Sequence, residues 1–500
     1  MFNIAMNHAT PWSLLLFIAC VNAIEESTIV YPRMLESRSE DGTKVLMIND
    51  DLTLNLRKAS VFSEEFLIHT TMDGKPIAYH MLGAEMEKNL YDDEEKMATV
   101  HVTDEDGVSV EGVLGHTLRI KPLEGMERSS SGERPHQLYE IPEPSNEEHR
   151  RDDYSSPNTS MEERYVESRF DWYKAPRLPV LITPEVHVVV DFLISKALKF
   201  EARKIARYVA IMTASANLRY RSFIQPRVQL VIVGVSVTKT PEEEPYMANV
   251  PGYEATNNIL DEKTRYNFKE YAMKQSYFKR SDIIFLLTGK NLSEWEGGTL
   301  QHWIGGSAFL GGVCLEWKVG LSEERVGSYY GVYVFAHELA HSLGCAHDGD
   351  GASTWHKGHI GSKDCDWDLG YMMSYKFVKP NMYRFSKCCQ REITNTYNRP
   401  EYHCLLEKNS LQTRIYSSKL PGAVSSRQTY CEKIYGKYSS YVKVDRGYPT
   451  QGCIVKCYIS KKLDNMLIGA VDGVKCGKKK VCVLGNCTSK AKLKKLLRNE

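Results

Sequence analysis

HELAHSLGCAHD, His337 to Asp348, is the stretch on which the reading of this 500-residue chain turns. Two histidines four apart lie on one face of a helix, about 5–6 Å between Cβ atoms, so His337 and His341 can reach one metal ion. Glu338 is the next residue along and leans over the open side of that ion. Gly344 can leave the helix with φ > 0, which most side chains resist, and the chain can then turn back with His347. Three histidines leave the fourth position of a tetrahedral zinc for water, the layout of a catalytic rather than a closed structural site. Zinc lowers the pKa of such a water to about 7, and a nearby carboxylate can take its proton.

The extended spacing H-E-x-x-H-x-x-G-x-x-H is similar to the metzincin signature. Downstream, Gly370-Tyr371-Met372-Met373-Ser374-Tyr375 resembles the methionine turn of that group. Met373 is the candidate for its methionine, an apolar floor under the histidines, and Met372 is read as ordinary packing. Asp348 directly after the third histidine resembles the reprolysin (adamalysin, ADAM-like) branch. Cys345 inside the motif, GYMMSY, and Arg384-Phe385-Ser386-Lys387-Cys388-Cys389 look most like reprolysin-like metalloproteases of tick salivary glands. Ala340 departs from relatives that often carry Gly, at a position that is not a ligand. The resemblance implies a zinc endopeptidase with His337, His341 and His347 as metal ligands and Glu338 as general base. It also implies a Cys314–Cys404 disulfide and a calcium site from Glu185, Asp282, the carbonyl of Cys404, and Glu407 in the place where relatives often have Asn. Ordinary surface carboxylates are the competing reading of that acidic set.

Charge is nearly balanced overall, at +1, but unevenly spread. Residues 24–176 hold 17 Lys/Arg against 33 Asp/Glu, a balance of −16, and residues 411–500 hold 19 against 5, a balance of +14. An acidic front and a basic back point to modules with different partners. The apolar run SLLLFIAC followed by Val21-Asn22-Ala23 predicts a secretory signal over residues 1–23, too short to span a bilayer. Later stretches lack the run of about 18 apolar residues that a membrane anchor needs. Of 13 cysteines, Cys20 falls in the signal, six lie from Cys314 to Cys404 and six from Cys431 to Cys487. Two even sets in a secreted chain predict two disulfide-bonded modules, each with 15 connectivities open. Secretion excludes nucleic acid as a partner.

Residues 24–176 are expected to form a β-rich prodomain. Met97–Val102 and Leu114–Ile120 alternate as short strands do, and NLYDDEE with GVLGHTLRIKPL resembles reprolysin prodomains. Residues 124–163, rich in Ser, Pro, Glu and Arg, read as an exposed linker. Such prodomains often block the zinc with a cysteine. This one has none, so inhibition falls to an Asp or Glu, to cover of the cleft, or is absent. Arg150-Arg151 is a dibasic cleavage candidate or a solvated charge pair.

The catalytic module is expected over residues 177–408. EVHVVVD, Glu185 to Asp191, reads as a strand, as do Val228–Val237 and Asp282–Leu287. Phe192–Leu218 and Asn257–Gln275 show helical spacing. This alternation predicts an α/β fold, a mostly parallel twisted sheet with crossover helices. SAFLGGVC, Ser307 to Cys314, resembles the antiparallel edge strand above a metzincin cleft, where an extended peptide can pair; plain turn residues at Gly311 and Gly312 are the alternative. Tyr329–Leu343 is the expected active-site helix. His356, His359 and His403 fit no ligand spacing and read as structural or solvated.

A polar linker, 409–430, leads to a small disulfide-rich domain, 431–500. Its DGVKC…C…GNC ending resembles ADAM and ADAMTS cysteine-rich regions. The basic tail Lys490, Lys492, Lys494, Lys495 and Arg498 suits heparin-like glycans or matrix, or is a solvated end. Asn158, Asn291 and Asn486 head N-glycosylation acceptors. The leading expectation is a secreted protease acting on extracellular proteins such as fibrin(ogen) or matrix, by resemblance. The rival is a secreted binding protein acting through its basic cysteine-rich domain. Intact His337, Glu338, His341 and His347 favour the first.

Overall fold

The computed structural model describes residues 27–36, 43–72, 75–142, 153–155, 181–302, 305–356, 358–408, 426–436, 439–449, 452–462, 464–470, 473–483 and 485–489. The signal segment, Asn158, Arg150-Arg151, most of the 409–430 linker and the basic tail lie outside them.

An eleven-stranded sheet organises the chain. Its strands are β1 (Phe62–Met72), β2 (Lys75–Leu82), β3 (Tyr154–Ser155), β4 (Glu185–Val190), β5 (Val231–Val237), β6 (Ile283–Thr288), β7 (Gly306–Phe309), β8 (Val319–Glu323), β9 (Lys443–Val444), β10 (Ile454–Tyr458) and β11 (Asn465–Gly469). They lie in the order β3-β7-β8-β6-β4-β5-β1-β2-β11-β10-β9. β5, β4, β6 and β8 run parallel to their neighbours, and β7 is antiparallel to β8. EVHVVV and IIFLLT are buried along their whole length. Such continuous β-branched and aliphatic runs suit strands covered on both faces.

The hairpin of β1 and β2 comes from the acidic N-terminal region yet sits inside this sheet. β1 pairs parallel with β5, and β2 pairs parallel with β11 of the cysteine-rich module. The rest of the N-terminal region forms a separate nine-stranded antiparallel sheet around Leu46, Leu54, Leu56, Val100, Val110 and Ile120. Leu114–Ile120 is not one strand here. Ser109–Leu114 and Leu118–Pro122 pair across a turn, with Gly115 at φ 77°. The supposed linker contains the strand His136–Glu140, which pairs with two neighbours, one strand in from the sheet's edge.

Helices α1 (Phe192–Ala197) and α2 (Ala202–Tyr220) replace the single helix expected from the spacing. Lys199 and Phe200 both take positive φ between them, a break that apolar periodicity does not reveal. Asp191 caps α1, its Oδ1 accepting from Ile194 N at 2.8 Å. α3 spans Asp261–Lys274, after a short strand at Asn258–Leu260. α4, Val332–Ser342, starts later than expected because Tyr329 has φ 49°. Every residue of α4 is buried, and Phe335, Leu339 and Leu343 share a core with Ile205, Val209 and Met212 of α2. Each such side chain contributes about 1.5–3 kcal/mol by leaving water. α5 is Lys387–Tyr397, and α6, Arg427–Tyr435, begins inside the supposed linker.

All twelve downstream cysteines are bonded within their own sets: Cys314–Cys404, Cys345–Cys389 and Cys365–Cys388 in the first, Cys431–Cys457, Cys453–Cys482 and Cys476–Cys487 in the second. Among the described residues no helix is long and apolar enough to cross a membrane.

Candidate metal centre

Helical spacing puts His337 and His341 side by side on α4, and the turn after it brings in His347. Gly344, at φ 104°, makes that turn; a Cβ there would stand 2.2 Å from Thr396 Oγ1. The returning segment is anchored at three points. Cys345 is bonded to Cys389 of α5, Ala346 N donates to Glu392 Oε2 at 2.8 Å, and Asp348 N donates to the carbonyl of Met373 at 3.0 Å. Asp348 Oδ1 in turn accepts from Ser386 Oγ, the N-cap of α5, at 2.6 Å. Burial raises the Asp348 carboxyl to about 7.

The three Nε2 atoms stand 3.0, 3.1 and 3.2 Å from one another. Three nitrogens at about 2.0–2.1 Å from a tetrahedral zinc would be separated by about 3.3 Å, so the set fits that ion. The other ring nitrogens fix the tautomers. His337 Nδ1 donates to the carbonyl of Met372 and His341 Nδ1 to that of Cys345, each at 2.6 Å. Such outer partners orient metal-binding imidazoles. His347 Nδ1 lies 3.6 Å from Asp350. The Tyr375 ring stacks on His337 at 4.4 Å.

Met372 and Met373 are both fully buried. Met372, expected to be packing alone, supplies the carbonyl that accepts from both His337 and Tyr333. Side-chain chemistry gives no signal for such a backbone role.

A fourth group closes the centre. Asp153, on the N-terminal side of the chain, is buried with its carboxylate 3.2 Å from His337 Nε2, 3.4 Å from His341 Nε2 and 3.0 Å from His347 Nε2. Burial opposes its charge, but the three imidazoles hold the carboxyl well below the usual range. Burial keeps His337 and His341 below their ordinary range, His341 at about 4. For His347 burial is outweighed by Asp153 and Asp350, which push it up to about 9. Glu338 is fully buried, with the Asp153 carboxyl as its side-chain neighbour. Burial, then the neighbouring Asp153 and Asp261, raise its carboxyl well above the ordinary value. Asp153 lay unnamed within a polar stretch; the only signal was the acidity of the region and its lack of cysteine.

The remaining candidates fall elsewhere. Asp282 Oδ2 accepts from Glu185 N at 2.9 Å, and Glu407 N donates to the carbonyl of Cys404. Burial, with Glu185 and Glu407 nearby, lifts Asp282 well above its ordinary value. His356 is buried at 3.0 Å from Tyr402 Oη, and His359 lies 2.9 Å from Glu392. His403 is exposed beside Glu407. Asn291 and Asn486 are exposed.

Residues 185–386 match the family model Reprolysin_5, Metallo-peptidase family M12. The chain is 26% identical over 406 residues to "Venom metalloproteinase BumaMPs1" of Olivierus martensii, covering 79% of this chain and 96% of that protein. It is 26% identical over 408 residues to "Venom metalloproteinase antarease TserMP_A" of Tityus serrulatus, covering 78% and 96%. A protein of Bombyx mori, "A disintegrin and metalloproteinase with thrombospondin motifs like", is 25% identical over 334 residues, covering 62% of this chain and 45% of its own length.

Proposed function

Because this chain carries a reprolysin-type domain of metallo-peptidase family M12 and is a zinc metalloendopeptidase, we propose that His337, His341 and His347 hold the zinc and that Glu338 is its general base. The observation that carries this reading is the convergence of three Nε2 atoms within 3.0–3.2 Å beside a buried glutamate. Zinc supplies Lewis acidity to a scissile carbonyl and acidifies water. Glu338 takes the proton of the attacking water and returns it to the leaving amine. Met373 is read as the apolar support beneath the histidines.

The protein is read as secreted, with residues 24–176 as a prodomain, 177–408 as the protease and 431–500 as a cysteine-rich domain. Six disulfides among the described residues support an oxidising compartment. The substrates are read as extracellular proteins, fibrin(ogen) or matrix among them; the support is the near full-length likeness to two venom metalloproteinases. A calcium ion near Glu185, Asp282, Cys404 and Glu407 is supported by the closeness of Asp282 to Glu185 and Glu407.

Glu338→Gln tests the central assignment. In the form cleaved between β3 and β4, zinc content should stay at one ion per chain, while cleavage of casein, gelatin and fibrinogen falls about 10²–10⁴-fold. Loss of the metal on this change would refute the role given to Glu338.

A further inference from the structure

Asp153 has two buried oxygens that receive no well-aligned hydrogen bond from any described residue. They nevertheless stand 3.0–3.4 Å from three imidazole nitrogens. Three imidazole nitrogens and a carboxylate that converge on one buried point are arranged as ligands of an ion between them. The four residues form one cluster of ligand atoms, all within 4.8 Å of each other and all buried. A carboxylate oxygen binds zinc at about 2.0–2.2 Å, like an imidazole nitrogen, so the set closes a tetrahedron.

The backbone around Asp153 is paired to the strand beside the histidines. β3 lies parallel to β7, Tyr154 opposite Ala308 and Ser155 opposite Phe309. Ala308 N donates to the carbonyl of Asp153, and Leu310 N donates to that of Ser155. An extended substrate adding to this edge would need those donors. With its carbonyl held by Ala308, Asp153 turns a side-chain carboxylate, not a peptide bond, to the metal. Tyr154 locks the pose: its ring packs 4.5 Å from His341 and its hydroxyl donates to Asp350 at 2.8 Å.

We infer that Asp153 is the intramolecular fourth ligand of the zinc, and that Asp153–Ser155 holds the full chain inactive by occupying both the metal and the substrate edge of β7. This rests on the zinc reading above. The device uses no thiol, which accords with a prodomain devoid of cysteine.

The test uses the uncut chain, residues 24–500, loaded with cobalt in place of zinc, with acetohydroxamate as an external ligand and the visible absorption bands as readout. Cobalt content is measured first. A tethered ligand competes at a high effective concentration, so Asp153→Ala should tighten apparent binding of the probe by about a hundredfold or more. The unmodified chain should leave its bands unchanged over the same range. Asp153→Asn keeps the shape but offers only a neutral oxygen, so its bands must also respond; it carries the test should the alanine variant fail to fold. Uncut Asp153→Ala should also cleave casein. A cobalt-loaded variant as unresponsive as the parent, or a parent as responsive as the variant, overturns the inference. Absence of bound cobalt in all forms overturns the zinc reading itself, and the inference with it.

Discussion

Arg119, on the strand Leu118–Pro122 of the N-terminal region, donates Nε to the carbonyl of Ser328, just ahead of α4. Its Nη2 reaches the carbonyl of Tyr329, and the neighbouring Tyr139 hydroxyl donates to that of Gly327. The guanidinium is almost fully buried, and burial lowers it to about 10. A charged donor on carbonyls contributes about 1.5–3 kcal/mol. After a single cut between β3 and β4, Arg119→Ala should weaken retention of the N-terminal fragment roughly tenfold to a hundredfold. Size-exclusion chromatography of the nicked protein, followed by gel analysis, measures it. Equal co-elution of fragment and protease from both forms would show that Arg119 is not a docking anchor.

Glu392 supports the loop that carries His347. Its Oε2 accepts from Ala346 N and from Ser362 Oγ at 3.1 Å. Glu392→Ala strands both donors in the interior, which costs about 1–3 kcal/mol. A lower melting temperature and faster loss of zinc to a chelator are expected together. A lowered melting point with unchanged zinc retention would confine Glu392 to the fold.

Gly344→Ala meets two separate obstacles, a φ of 104° and the Thr396 hydroxyl. The backbone strain alone is of order 1–3 kcal/mol. The single variant should lose zinc and stability. Gly344→Ala with Thr396→Ala relieves the clash but not the strain, so only part of the stability should return, as read by thermal unfolding. Full recovery in the double variant would show that the backbone conformation carries no cost.

Glu323 gives a pH dependence away from the metal. Burial raises its carboxyl from 4.5 to about 8, although its Oε1 accepts from Leu292 N at 2.6 Å. The unfolded chain releases this proton near 4.5, whereas the folded chain keeps it up to about 8. The folded state therefore binds more protons in that window, and stability falls as pH rises through it. Glu323→Gln should flatten this part of the denaturation profile. A slope identical in both proteins would assign the effect to other groups.

The metal centre was legible because its geometry is local. Four-residue spacing on a helix and one glycine bring His337, His341 and His347 together, and both facts are visible in the letters. Asp153 was not, since nothing in a stretch of Ser, Pro and charged residues tells which carboxylate folds back on the histidines. The same limit hid the β1–β2 hairpin, whose pairing partners β5 and β11 are remote in sequence. Met372 escaped because its contribution is a carbonyl. The break between α1 and α2 escaped because Lys199 and Phe200 carry none of the usual punctuation of Gly or Pro.

The β1–β2 hairpin stands between β5 and β11. Among the described residues it is the sheet connection between β5 and the strands β9 to β11. Departure of the N-terminal region after cleavage would take a plank out of the middle of the board. Two rows of unpaired main-chain groups would then face outward, on β5 and on β11, and such edges recruit extended chains. Maturation would then set the cysteine-rich module free of the protease sheet and uncover surfaces ready to seize a passing strand, so that the same excision that opens the metal also alters what the enzyme can hold.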